Sequence, residues 1–446
     1  MSEEAFSERL VDFSGVTLPR PEQDPSQALL ISCYEDRKEE KLAKDHVLEL
    51  AELARSCGIT TIETRTFHLR TLAPSSYLSE GKAKEVEEVL RLFPSIGVII
   101  FDDEITASQQ RNLEKRFGTL VMDRTEVILD IFSQRAITAE AGIQVELAKA
   151  KYLLPRLKRM WGHLSRQKSG GGGGYVKGEG EKQIELDKRM IKEKIHRLSS
   201  RLKESIKHRE MQRKAKERSG IPSFALIGYT NAGKSSLFNA LTDAGTYAED
   251  KLFATLDPKT KRCLLPNKLP VLITDTVGFV RKLPHTLVAA FRSTLESALR
   301  DRFLIHVVDV SHPSAEEHIA TTTALLKELK ITDPKIITVL NKTDLCTDNK
   351  MLSKLRLFCP LPILVSCVNG TGISSLLQTM EDLVVADYKE TALVIPCKEY
   401  HRVAELLEAG LVISKRFDED NVRLRAFLPP SLEKKFLQYT PSSHSD

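Results

Sequence analysis

Short apolar runs alternate with helix-spaced apolar positions between residues 27 and 136. Ala28-Leu29-Leu30-Ile31-Ser32-Cys33 and Thr60-Thr61-Ile62-Glu63-Thr64 are strand-like, while Leu48, Leu50, Leu53 and Ala54 predict a helix. A further helix follows Gly81-Lys82. Val98-Ile99-Ile100-Phe101 is wholly apolar, as buried strands are, and ends in Asp102-Asp103-Glu104. This alternation predicts an α/β domain on a parallel sheet over residues 27–137. The acidic triplet reads as a polar helix start, with Mg²⁺ or a second nucleotide as the alternative occupant.

From residue 138 the spacing changes. Leu147, Ala150, Leu154, Leu157, Trp161 and Leu164 recur at three- and four-residue steps, and Ile191, Ile195, Leu198, Leu202 and Ile206 nearly repeat the pattern. Both stretches predict helices with a coiled-coil-like seam. Pro155 predicts a kink or break near Leu154. Between them lies a segment, 169–180, containing five consecutive glycines, Gly170 to Gly174, which is flexible by composition. The simplest topology for 138–220 is an antiparallel helical hairpin with this segment as its tip. Its second arm, 181–218, should be about 55–60 Å long at about 1.5 Å per residue.

Strand and helix patterns alternate again over 221–388, with apolar runs at Phe224-Ala225-Leu226-Ile227, Val271-Leu272-Ile273-Thr274, Ile336-Ile337-Thr338-Val339-Leu340 and Pro362-Ile363-Leu364. Residues 389–437 read strand, helix, strand, giving a small C-terminal α/β domain: Ala392 to Ile395, Val403 to Leu411, Val422 to Phe427. Residues 1–26 read as a poorly ordered N-terminus and 438–446 as a tail.

The chemistry sits at the ends of the apolar runs in 221–388. Gly228-Tyr229-Thr230-Asn231-Ala232-Gly233-Lys234-Ser235 is a complete G-x-x-x-x-G-K-[ST] phosphate loop. It follows a strand pattern and opens the helical pattern of Ser236, Leu237, Ala240 and Leu241. The glycines let successive N–H groups point at phosphate oxygens, Lys234 reaches the β/γ-phosphates, and the Ser235 hydroxyl binds Mg²⁺. Asp275-Thr276-Val277-Gly278 would hold the Mg²⁺ shell through Asp275, by way of water, and let Gly278 approach the γ-phosphate. Between these motifs lies Phe253-Ala254-Thr255-Leu256-Asp257, where the Thr255 hydroxyl could complete the metal's coordination in a loop ordered by the γ-phosphate.

Asn341-Lys342-Thr343-Asp344 selects the base. A carboxylate at Asp344 accepts from the N1–H and the exocyclic amine of guanine, whereas adenine presents a lone pair at N1. Ser366-Cys367-Val368 is the expected guanine-edge loop, with Cys367 where alanine is commoner. The order of motifs matches the Ras-like P-loop GTPase domain, so GTP or GDP with Mg²⁺ is the expected ligand set. Lys234, Thr255 and Gly278 are the catalytic candidates. One position departs. Phe279 follows Gly278, where Ras-like proteins place a water-orienting glutamine, so hydrolysis by the chain alone should be slow.

Composition adds bounds. The 446 residues suffice for two or three domains, and seven scattered cysteines without C-x-x-C pairing read as reduced thiols. No apolar run is long enough to cross a membrane, which leaves peripheral association open. A net charge of +5 is modest, but basic residues crowd the hairpin arms, among them Lys188, Arg189, Lys192, Arg197, Arg201 and Lys207. Acidic residues are interleaved, so a solvated face competes with binding to an RNA backbone. Tyr175 at the tip could stack on an unpaired base.

The arrangement closely resembles the HflX-type ribosome-associated GTPases over roughly residues 27–437. The likeness rests on Tyr77-Leu78 through Gly81-Lys82, Leu154-Pro155-Arg156-Leu157 with Met160-Trp161, and the glycine-rich tip. Gly178-Glu179-Gly180-Glu181, Gln183-Ile184-Glu185 with Asp187, and Asp275 to Phe279 followed by Leu283-Pro284-His285 extend it. The tip departs, with Val176-Lys177-Gly178-Glu179 where the family usually carries arginine and proline. The reduced thiols point to a cytoplasmic protein, and a monomer is expected; the resemblance implies a GTPase that binds the large ribosomal subunit, with the hairpin directed toward the peptidyl-transfer region. It further implies ribosome-stimulated hydrolysis and splitting of stalled or idle ribosomes. Two rival readings stay open: an ATP-using RNA-remodelling protein with a regulatory GTPase domain, and a GTP-gated module that silences subunits without separating them.

Overall fold

In a computed structural model of the chain, the described residues are 23–70, 73–157, 177–218, 221–242, 253, 256, 258–282, 303–329, 331, 334–346, 349–408, 411–418, 420–428 and 430–441. They fall into two compact units, one grouping residues 1–203, 251–253 and 282–291, the other 204–250, 254–281 and 292–446.

The first unit alternates β1 (Asp24–Tyr34), α1 (Glu40–Ser56), β2 (Thr60–His68), α2 (Glu80–Leu92), β3 (Ile96–Phe101), α3 (Ala107–Phe117), β4 (Leu120–Asp123) and α4 (Arg124–Arg135). All strand pairs are parallel, in the order β2-β1-β3-β4. β3 is buried along its whole length, as its unbroken apolar run requires. Thr106 caps α3 in a reciprocal box with Gln109, and Gly118 ends the helix at φ 62°.

The acidic triplet is not a helix start. Asp102 is fully buried and pairs at 2.8 Å with Arg124, which is 1% exposed and also reaches Glu49 at 2.8 Å. A second buried cluster joins the sheet to α5 (Ala139–Leu153): Tyr152 Oη donates to Asp123 at 3.0 Å, and Arg156 pairs with Asp123 at 3.2 Å while lying 3.6 Å from the Tyr152 ring centroid.

α5 stops at Leu153, and a 3₁₀ turn over Leu154–Arg156 contains Pro155, so the break falls where the proline predicts. Leu147, Ala150 and Leu157 are buried; Trp161, Leu164, Tyr175 and the five glycines lie outside the described residues. α6 (Lys177–Arg218) begins four residues inside the predicted tip and runs for 42 residues, about 60 Å at about 1.5 Å per residue. Leu198 and Leu202 are buried on it, and Lys194 pairs with Glu146 of α5 at 3.6 Å.

The second unit contains β5 (Ser223–Gly228), α7 (Lys234–Thr242), β6 (Lys259–Leu264), β7 (Pro270–Asp275), β8 (Phe303–Asp309), α8 (Ala315–Glu328), β9 (Lys335–Asn341), α9 (Asn349–Phe358), β10 (Pro362–Leu364) and α10 (Ile373–Asp387). The sheet order is β10-β9-β8-β5-β7-β6, parallel except for the edge pair β6–β7. The chain leaves β5 toward β7 on one side and returns to β8 on the other. The carboxyl end of β5 is therefore a topological switch point, where open α/β sheets bind ligands.

A three-stranded antiparallel sheet, β11-β13-β12, completes this unit from β11 (Lys389–Pro396), α11 (Tyr400–Glu408), β12 (Val412–Asp418), β13 (Asn421–Leu428) and α12 (Pro430–Phe436). One core runs from Phe224 and Leu226 through Leu376 and Met380 to Leu393, Val403 and Phe436.

The Arg124 pair gives the first expectation. Arg124→Ala leaves Asp102 buried without its guanidinium, and breaking such a pair costs about 3–5 kcal/mol. Urea unfolding of the full chain should show the first transition shifted by that amount, and a shift below about 1 kcal/mol would mean Asp102 is stabilised by other means.

Candidate nucleotide site

The site is built from strand ends. β5 ends at Gly228, whose φ of 144° suits glycine, and a Cβ there would lie 2.2 Å from the Val307 carbonyl oxygen of β8. The loop then curls through Asn231 (φ 60°) and Gly233 (φ 92°) into α7. Lys234 is buried, and its Nζ donates to the Tyr229 carbonyl at 2.6 Å. Burial lowers its pKa to about 8, against an opposing pull from the Asp275 carboxylate. Ser236 is half-buried in the first turn of α7.

β7 delivers Asp275 opposite this loop. Ser235 Oγ donates to Asp275 Oδ2 at 2.8 Å, which sets a hydroxyl and a carboxylate side by side. These are the hard oxygen donors that Mg²⁺ takes, so the residues present fit that ion. Thr276 turns inward and its Oγ1 donates to the Leu226 carbonyl at 2.5 Å, and Val277 is buried. The next residues are zipped to the phosphate loop by two backbone bonds, Phe279 N–H to Gly228 O at 3.0 Å and Thr230 N–H to Phe279 O at 2.7 Å. Phe279 itself is 1% exposed, so its ring packs inside.

The base-reading motifs meet through one amide. Asn341, at the end of β9, donates from Nδ2 to Ala232 O at 2.9 Å and accepts from Cys367 N–H at 3.3 Å. Lys342 adopts φ 62° and pairs with Asp309 at 2.6 Å. Thr343 bonds Val365 O through both its N–H (3.3 Å) and its hydroxyl (3.1 Å), tying the motif to the Ser366-Cys367-Val368 loop. Ser366 is buried and accepts from Asn369 N–H at 3.2 Å. Asp344 and Val368 are exposed, which leaves the Asp344 carboxylate open to a base.

The structure thus brings together the phosphate loop, Asp275 to Gly278, Asn341 to Asp344 and Ser366 to Val368. Thr255, Ala254 and Asp257 lie outside the described residues. Leu256 is buried, and Phe253, grouped with the first unit, sets its ring edge-on to Phe132 of α4 at 4.7 Å between centroids. Three contributors went unread in the sequence. Asp309 holds Lys342, the Tyr229 hydroxyl accepts from Arg281 N–H at 2.8 Å, and His318 of α8 stacks on the Tyr229 ring at 3.7 Å. Asp309 alone left a signal, as an acidic residue closing the apolar run of β8.

A switch-point sheet carrying a phosphate loop, a D-x-x-G loop and an N-K-x-D motif defines a P-loop GTPase. The families that match have the same layout: GTP-binding GTPase N-terminal over residues 44–133, GTP-binding GTPase Middle Region over 135–216, and 50S ribosome-binding GTPase over 223–342. The GTPase HflX of Chlamydia pneumoniae is 59% identical over 420 residues, covering 94% of this chain and 89% of that one. The GTPase HflX of Escherichia coli K12 is 35% identical over 407 residues, 90% of this chain and 93% of that one. The chain belongs to the GTPase HflX family. A GTP-binding protein of the archaeon Sulfolobus solfataricus, solved with GDP, also matches at 24% identity over 80% of this chain and 98% of that one, with a TM-score of 0.41.

Lys234 makes binding sensitive to alkali. Phosphate oxygens favour the ammonium form, so nucleotide raises its pKa and a proton is taken up on binding wherever the free protein has lost one, above about 8. GDP affinity should therefore be flat below pH 7 and fall by about fourfold between pH 7.0 and 8.5. Titration calorimetry in buffers of different ionisation enthalpy checks it, and no proton uptake at pH 8.5 would contradict the lowered pKa of Lys234.

Proposed function

We propose that this GTPase binds the large ribosomal subunit and, with GTP bound, splits stalled or idle ribosomes, its hydrolysis being stimulated by the ribosome. The match of residues 223–342 to the 50S ribosome-binding GTPase family carries the reading. The catalytic loop supports it. The buried Phe279 offers no hydrogen bond to an attacking water, so the group that orients water comes from outside the phosphate and D-x-x-G loops. The long basic helix α6 supplies an element suited to an RNA backbone.

Within the site, Gly228 to Ser236 cradle the phosphates, Lys234 neutralises developing charge, and Gly278 admits the γ-phosphate. Asp344 reads guanine, with Asn341, Lys342, Thr343 and the Ser366 to Val368 loop framing the base. Ser235 and Asp275, with Thr255, would hold Mg²⁺, Asp275 through water; the ion would supply positive charge against the phosphates. The protein would act as a monomer in the cytoplasm, where ribosomes are, and no helix among the described residues is long and apolar enough to cross a membrane.

Two measurements test this. Large subunits should raise the hydrolysis rate by about 10³–10⁵-fold, and sucrose-gradient sedimentation should show 70S particles converted to subunits with GTP or a non-hydrolysable analogue and not with GDP. Equal rates with and without ribosomes would sink the reading, while binding without separation would favour a silencing module. Asp344→Asn should lose guanine selectivity by orders of magnitude, a loss typical of a mismatched polar contact, and abolish splitting in GTP; retained splitting with ATP would point instead to the N-terminal domain.

A further inference from the structure

A phosphate cradle is made by backbone N–H groups, which leaves the side chains of its middle residues free for other tasks. Tyr229, the second residue of the loop, is 5% exposed, and its hydroxyl accepts from the Arg281 N–H at 2.8 Å. Arg281 stands three residues beyond Gly278 of the D-x-x-G loop. The ring of Tyr229 therefore ties the phosphate loop to the chain that leaves the D-x-x-G glycine. Its carbonyl, which accepts from Lys234 Nζ at 2.6 Å, is held separately, because the neighbouring Gly228 O and Thr230 N–H are both bonded to Phe279.

A helix outside both loops fixes that ring. His318, half-buried in the first turn of α8, lies parallel to the Tyr229 ring, with 3.7 Å between centroids and 8° between planes. The His318 N–H donates to Ser314 O at 3.0 Å. His312 sets its ring 4.5 Å from that of His318, and its Nδ1 accepts from the Ser314 N–H at 3.1 Å. The row of rings is thus anchored at the start of α8. A tyrosine hydroxyl keeps its bond only while its ring keeps its rotamer, and a face-to-face neighbour excludes the alternative ring positions.

We propose that His318 is a positioning residue for GTP hydrolysis: by holding the Tyr229 ring it fixes the Arg281 N–H, and with it the course of the chain beside Gly278. This rests on reading 228–235 and 275–278 as the loops around the γ-phosphate. The effect falls on the hydrolysis step. GDP leaves the γ position empty and is gripped by the phosphate-loop N–H groups and Lys234, so its affinity depends little on the chain after Gly278. The γ-phosphoryl group lies against that chain, and a misplacement of about 1 Å there can cost about 10²-fold in rate.

The test uses the full chain, with fluorescent GDP for affinity and single-turnover hydrolysis of GTP for rate. His318→Ala should bind GDP within about twofold of wild type and hydrolyse GTP about tenfold more slowly. His318→Phe keeps a ring against Tyr229 and should stay within about threefold of the wild-type rate. Tyr229→Phe keeps its ring and loses the hydroxyl, so it should slow hydrolysis by about the same factor as His318→Ala. The variant carrying both His318→Ala and Tyr229→Phe should then fall no more than about twofold below either one. Losses that multiply in the double variant would overturn the proposal, as would an unchanged rate in His318→Ala. An equal loss of GDP affinity and rate in His318→Ala would make the ring a support of the fold and overturn it too. A wild-type chain that bound no GDP would instead overturn the reading of the two loops, and the proposal with it.

Discussion

Three loops from different strands must converge on one ligand, and the Asn341 amide holds them in register. It donates to Ala232 in the phosphate loop and accepts from Cys367 in the guanine-edge loop. The same amide explains Gly233, where a Cβ would stand 2.2 Å from Asn341 Nδ2. Phosphate grip and base recognition are thus one rigid piece, anchored on β9 in the interior of the sheet. The D-x-x-G loop meets it by a different device, a two-bond backbone zipper through Phe279 that leaves its side chains free to be chosen for packing.

Much of this was legible because the ligand imposes it. A phosphate loop needs glycine where the backbone turns, and Gly228 and Gly233 both have positive φ. Helix and strand types followed from period, and Pro155 marked the break after α5. The misses have physical causes. β12 was passed over because six of its seven residues are exposed, so its apolar positions carry no core signal. The tip was drawn too long because Gly178 and Gly180 suggested loop, yet α6 already includes them. Asp102 was assigned to a helix start because the loop after a strand is usually polar and solvent-facing. Its partner Arg124 lies 22 positions away, beyond the reach of local pattern.

The same blindness to distant partners hid the support around the site. Tyr229 was counted as a loop residue for its backbone, but its ring rests on His318 and its hydroxyl takes the Arg281 N–H, 52 positions on. Asp309 fixes the Lys342 ammonium from the neighbouring strand, a pairing that its place at the end of an apolar run does not specify. First contacts with a nucleotide follow the ligand's chemistry and recur as motifs. The residues that hold those contacts follow the packing of this particular sheet.

The core that links the two sheets of the second unit has a further meaning. Met380 and Val384 of α10 share it with Leu393, Ile395, Val403, Leu406, Val422 and Leu424 of the C-terminal sheet. The division at 388/389 is therefore a change of composition and not a seam. Ending the chain there would strip one wall from α10 and expose fully buried apolar side chains to water. The small sheet is a structural buttress of the nucleotide-binding fold, through the core it shares with α10.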